Sequence, residues 1–170
     1  MTAPTLTTDR LVLSAHTPRD WNDCIALWSD PEVVRFIGGK PFAPDEVWAR
    51  ILRYAGLWAL VGYGYWAVRD RASGQFLGEV GFADFRRDIV PALGDRPEAG
   101  WILSPAAHGK GYAREAMEAA LGWITAAGHS RTVCIIAPGN TASLALAERL
   151  GYRREGEAMF RGQPTNVLAR

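Results

Sequence analysis

Ser104-Pro105-Ala106-Ala107-His108-Gly109-Lys110-Gly111-Tyr112-Ala113-Arg114-Glu115-Ala116 joins the run Glu98-Ala99-Gly100-Trp101-Ile102-Leu103 to the most regular helical pattern in the chain. From Tyr112 onward, Ala113, Ala116, Met117, Ala120, Leu121 and Ile124 recur at helical spacing, and Gly128 is placed to end the run. The segment therefore reads as strand, glycine loop, helix. Glycines at 109 and 111 let the main chain turn tightly and approach a ligand, while a helix start offers unpaired N–H groups and the positive end of its dipole. Such a junction is an anion site. A glycine turn that merely links two elements is the competing reading of so short a motif.

Two familiar phosphate loops do not fit. A Walker A loop needs Ser or Thr after its lysine, whereas Lys110 is followed by Gly111. A dinucleotide GxGxxG starting at Gly109 meets Arg114 where a small residue is required, and it falls late in the chain instead of at the first strand.

Outward from the loop, the pattern alternates strands and helices. Leu11-Val12-Leu13 reads as a first strand, and a helix follows Pro18-Arg19-Asp20, with Trp21, Cys24, Ile25, Leu27 and Trp28 at helical spacing until Ser29-Asp30-Pro31. Val33 to Gly39 reads as a short helix entering a loop, and Pro44-Asp45 opens a longer helix through Val47, Trp48, Ile51, Leu52 and Ala55. Residues 64–69 and 76–82 form a hairpin about the turn Arg71-Ala72-Ser73-Gly74. A polar, proline-bearing loop runs from Arg86 to Pro97. Thr132 to Ala137 is a buried strand, Asn140 or Thr141 starts a helix ending at Gly151, and strands near 152–158 and 165–169 complete the sheet.

Length and composition bound the function. With 170 residues, of which 48% are hydrophobic, the chain fits one domain over 1–170. Nineteen Lys and Arg against eighteen Asp and Glu give a net charge of +1, which is no footprint for nucleic acid or an anionic membrane. No stretch approaches the roughly 18 apolar residues of a membrane span, and the first residues lack a signal-peptide pattern. Cys24 and Cys134 have no CxxC spacing, and His16, His108 and His129 have no ligand spacing, so neither disulfide framework nor metal is expected, and the cytoplasm is the expected location.

His108-Gly109-Lys110-Gly111-Tyr112-Ala113 resembles the acyl-CoA loop of the GCN5-related N-acetyltransferases, with His108 in place of the usual Arg or Gln. Thr8-Asp9-Arg10-Leu11-Val12-Leu13, Ser29 to Ile37, Glu98-Ala99-Gly100-Trp101, Asn140-Thr141-Ala142-Ser143 and Leu150-Gly151-Tyr152 are similar, in order and spacing, to the RimJ/RimL-like branch that acetylates ribosomal-protein N-termini. Together they cover almost the whole chain. The resemblance implies an α+β fold: a mixed, mostly antiparallel sheet of about seven strands flanked by about four helices, with the fourth and fifth strands parallel and splayed at a bulge.

The resemblance also implies the site. Acetyl-CoA would be held by main-chain groups of Trp101, Ile102 and Leu103, by the loop His108, Gly109, Lys110, Gly111, Tyr112, Ala113 and Arg114, and by Asn140 and Ser143. An amine must lose a proton before it attacks a thioester, and Glu98 is the first candidate to take it, with Glu79 in reserve. Many relatives carry a tyrosine as general acid where this chain has Ala147, so Ser143 is the substitute donor to the leaving thiolate. Both Asn140 and Ser143 also suit helix capping. Most of the seven tryptophans read as core. Trp28, Phe36 and Glu98 are expected to border the acceptor. A primary amine, on a protein N-terminus or a small molecule, is the expected partner, and homodimers are frequent among relatives. A non-catalytic acyl-CoA sensor is the alternative, favoured by the missing tyrosine; fold alone does not decide between them.

Overall fold

The computed structural model describes residues 2–170. The chain runs β1 (Leu6–Thr7), β2 (Leu11–Ser14), a 3-10 turn (Pro18–Asp20), α1 (Trp21–Trp28), α2 (Pro31–Val34) and α3 (Pro44–Leu60). It continues with β3 (Tyr65–Asp70), β4 (Phe76–Ala83), β5 (Ile89–Val90), β6 (Glu98–Leu103) and α4 (Tyr112–Ala126). β7 (Val133–Ile136), α5 (Thr141–Arg149), β8 (Arg153–Phe160) and β9 (Gln163–Ala169) complete it. Thr17 opens the first helical segment with a reciprocal capping box to Asp20, and the side chain of Asn140 caps α5 by accepting from the Ser143 amide. The prolines at 18, 31 and 44 sit in first turns, where the missing N–H costs nothing.

All strands join one sheet in the order β1-β2-β3-β4-β6-β7-β9-β8-β5. Every pairing is antiparallel except β6 with β7. The sheet is larger than the sequence pattern suggests: β1 and β5 have two residues each, too short for any periodicity to register. Separate short α1 and α2 bring the helices to five.

One face of the sheet is covered by α4 and α5. Its core includes Val80, Phe82, Met117, Ala120, Ile124, Cys134, Ile136 and Ala147, extended by a T-shaped cluster of Trp58, Trp66 and Trp123. The other face has two covers. Helices α1 to α3 lie over the β4 side, while the segment between β4 and β6 crosses to the far edge and buries Ile89 and Leu93 against Val133, Ala158 and Val167. The polar reading of that segment thus missed its apolar anchors. Packing here is a tertiary matter, because β5 pairs only with the later strand β8.

The parallel pair is where the sheet opens. β6 and β7 share a single register pair, Glu98 with Val133, and then diverge. The expected bulge is not what parts them. β6 keeps unbroken register on β4 from Glu98 to Leu103, and the register shifts fall in β3/β4 and β8/β9 instead.

Candidate active site

The glycine loop is a braced turn that opens directly into α4. Gly109 and Gly111 adopt φ of 73° and 80°, the left-handed region where a side chain is strained, and Gly111 caps α4 without any side-chain bond. A Cβ added at Gly109 would meet nothing within 4 Å, so the glycine there serves the backbone turn and leaves open space for a ligand. The brace comes from the start of β2. Arg10 donates from Nη1 to the Lys110 carbonyl (2.9 Å) and from Nε to Glu115 Oε2 (2.7 Å), and its amide donates to Glu115 Oε1 (2.9 Å). Thr8 Oγ1 adds a 2.6 Å bond to the same carboxylate. Burial pushes the Glu115 carboxyl up, but these bonds outweigh it and hold the group below its ordinary value. The string around Thr8 and the loop, remote in sequence, are therefore one mechanical unit.

Beyond Glu98, one edge of β6 stays paired with β4 and the other faces the splay. The Ile102 carbonyl lies so close to Gly78 that only glycine fits there, and the Ser104 amide donates to the Leu77 carbonyl (2.9 Å), so these groups point to β4. Strand alternation then directs the main-chain groups of Trp101 and Leu103 toward the splay. Of the Leu103 pair, the carbonyl accepts from His108 Nε2 (2.9 Å), which ties the loop to the strand end. Across the opening, Trp101 Nε1 donates to Ser143 Oγ (3.2 Å), leaving the Ser143 proton free to be given elsewhere. Asn140 Oδ1 is occupied by the Ser143 amide (3.2 Å). Phe36, exposed, approaches Gly139 just before α5, and so borders the same mouth.

On the face toward α1 and α3 lie Glu98, Gly100 and Ile102 from β6 and, paired with them, Ala83, Gly81 and Glu79 from β4. Glu98 is 6% exposed and bound by the Arg87 guanidinium through two bonds, Nε to Oε2 (2.7 Å) and Nη2 to Oε1 (2.8 Å). Arg87 in turn stacks on Phe85 and Phe160, at 4.3 and 4.8 Å from the ring centres. A carboxylate has about four acceptor sites, so the fork leaves Glu98 about two unused.

Glu79 is fully buried and far more occupied. Oε2 accepts from Tyr54 Oη (2.9 Å) and Trp28 Nε1 (3.1 Å); Oε1 faces Cys24 Sγ (3.4 Å) and His16 Nε2 (3.3 Å). The His16 contact is an ion-pair distance off the direction of a good hydrogen bond. Burial and the neighbouring Glu79 push the Cys24 thiol far up, and burial does the same to the Tyr54 phenol, so both remain protonated donors. His16, Cys24 and Glu79 have the residue types of a metal site, with ligand atoms within 4.8 Å, but here their bonds converge on the carboxylate. That network removes Glu79 as a reserve base. It also corrects Trp28: at 1% exposure, beneath the Arg50 guanidinium (3.7 Å) and edge-on to Phe42, it is core and does not line an acceptor surface. Neither Arg87 nor the donors to Glu79 carry a sequence signal, since each meets its carboxylate only through packing.

Among the described residues, no helix is long and apolar enough to cross a membrane. Residues 10–153 match the model of the acetyltransferase (GNAT) domain. The N-acetyltransferase YoaA of Bacillus subtilis, itself uncharacterised, is 26% identical over 155 residues, spanning 90% of this chain and 85% of its own. A protein of Bordetella pertussis described as a GNAT-family acetyltransferase superposes with a TM-score of 0.86 at 33% identity over 99% of both chains. RimL, the ribosomal L7/L12 alpha-N-protein acetyltransferase, solved with coenzyme A, has the same fold with a TM-score of 0.79 at 17% identity over 98% of this chain and 97% of its own. With a splayed parallel pair beside a braced glycine loop and a family match over most of its length, the chain belongs to the GNAT acetyltransferase family.

Proposed function

We propose that the chain is an acetyl-CoA-dependent N-acetyltransferase of the RimJ/RimL-like branch, transferring acetyl directly to a primary amine held beside Glu98. The single observation that carries this reading is the joint placement of the braced glycine turn at the start of α4 and the opening of the sheet just after the Glu98–Val133 pair. The loop amides from Gly109 to Arg114 would take the pyrophosphate, and the main-chain groups of Trp101 and the Leu103 amide would hold the pantetheine arm. RimL, bound to coenzyme A, supports the cofactor; the acceptor of RimL is a protein N-terminus, which makes such termini the first class to test.

Glu98 accepts the proton that the amine loses, the C–N bond forms as the thioester C–S bond breaks, and Ser143 gives its free hydroxyl proton to the leaving thiolate, regaining one from water. The Arg87 fork holds the carboxylate in place before the amine arrives. A non-catalytic acyl-CoA sensor remains the second reading, since Ala147, wholly buried, offers no hydroxyl where many relatives have one.

Titration calorimetry with acetyl-CoA, followed by thiol release against peptides beginning with alanine or serine and against spermidine, tests the proposal. Binding with release is expected. Binding without release across the panel favours the sensor, and no binding overturns both readings.

A further inference from the structure

Tyr65, Gly81 and Gly100 form one row across β3, β4 and β6, because Tyr65 pairs with Gly81 and Gly81 pairs with Gly100. At Gly81 an added Cβ would collide with the backbone of Gly64 and Tyr65, so β3 packs close to β4 there, and at Gly100 the missing Cβ leaves room for the Tyr65 side chain. The Tyr65 hydroxyl overlaps the place where a Cβ of residue 100 would stand, with Cζ 3.0 Å from that point. From above, Tyr54 of α3 stacks on the ring at 4.7 Å and 10°, which fixes the phenol in plane. The hydroxyl therefore ends over the middle of β6, between Glu98 and Ile102 on the same face. No group among the described residues hydrogen-bonds to it, although Tyr65 is 4% exposed.

The phenol oxygen is not among the sealed atoms that lack a partner, so its tip is open to solvent on the Glu98 face of β6, where a ligand can reach it. We propose that Tyr65 is a catalytic residue, its phenol oxygen accepting one N–H bond of the acceptor amine while Glu98 takes another, so that the nitrogen lone pair is turned toward the thioester. The inference rests on the acetyl-transfer reading above. Burial, followed by the nearby Glu98 charge, pushes the Tyr65 phenol well above its ordinary range, so the group stays protonated and acts as a neutral acceptor, not as a base. The role is orientation, in which small misplacements of the nucleophile are expensive.

Tyr65→Phe removes only the oxygen. With whichever panel amine the wild type acetylates, the variant is expected to lose about tenfold or more in kcat, keep its acetyl-CoA affinity, and retain the shape of the pH–rate profile. Gly100→Ala, which evicts the hydroxyl by steric overlap, is expected to lower both kcat and Tm; adding Tyr65→Phe to it should recover part of the Tm and none of the turnover. A Tyr65→Phe enzyme with kcat within about twofold of wild type overturns the proposal, as does the loss of a limb of its pH profile, which would make Tyr65 a proton carrier. A wild type that releases thiol with no panel amine fails differently: it removes the acetyl-transfer reading and this inference with it.

Discussion

The surroundings of Glu79 and of Glu98 differ, although both are buried glutamates on adjacent strands and on one face of the sheet. Around Glu79, four side chains from β4's covering layer, His16, Cys24, Trp28 and Tyr54, converge on two oxygens. Around Glu98, a single guanidinium from the segment after β4 engages both oxygens and leaves the rest of the carboxylate's capacity open. The first carboxylate is spent on joining α1 and α3 to the sheet; the second is held by one partner and keeps acceptor sites open. Burial alone does not identify a catalytic acid or base. The number of acceptor sites still free is the better guide.

The largest effect that tests this contrast is on stability. Glu79→Ala leaves the donors of Trp28, Tyr54 and Cys24 without an acceptor, and about 3–5 kcal/mol of unfolding free energy should be lost. Urea unfolding measures it, and a loss under about 1 kcal/mol would erase the contrast from the Glu79 side. Glu98→Gln comes next. It should lower turnover about hundredfold, some 2.7 kcal/mol of transition-state energy, with acetyl-CoA affinity kept. Steady-state kinetics across pH would show the loss greatest below the pKa of the amine, and an unaltered profile would move the proton to another acceptor.

Gly111→Trp touches neither glutamate and supplies a reference for both. Its positive φ and the 3.4 Å approach of Arg10 Nη2 to an added Cβ predict a loss of about tenfold in acetyl-CoA affinity, read by calorimetry. Unchanged affinity would remove the loop from the cofactor site.

The smallest effect is in the pH dependence of stability. Burial raises the Glu79 carboxyl, but the contact with His16, the Tyr54 bond and the Arg50 charge outweigh it, so its folded value lies below the ordinary one. A carboxyl with a depressed folded pKa stabilises above its unfolded pKa, and that contribution is lost as pH falls through the folded value. Glu79→Gln should therefore flatten the acid limb of the stability curve below about pH 4.3, measured by unfolding at a series of pH values. An acid limb as steep as that of the wild type would show that Glu79 is not held ionised by its neighbours.

Local signals were legible at the outset. The glycine loop, the long helix after it, the cap at Asn140 and the hairpin between β3 and β4 all follow from residues a few positions apart. Where the reading fell short, the partners are distant. Residue types cannot reveal that Arg87 crosses to Glu98, or that β5 leaves its neighbours to pair with β8. Trp28 illustrates the limit: helical spacing placed it on a buried face, and only the packing of Arg50 and Phe42 closed that face to an acceptor.

By itself, the sequence determined the order of the longer elements, the glycine turn before α4 and its resemblance to one enzyme family, because periodicity, capping and positive φ are properties of neighbours along the chain. Tertiary structure alone decided which glutamate is sealed and which is open, and that Tyr65 ends over Gly100. Those outcomes depend on cross-strand register and on which side chains pack above each strand, and a hydrogen-bonding group is spent or free only according to what folding brings within about 3 Å of it.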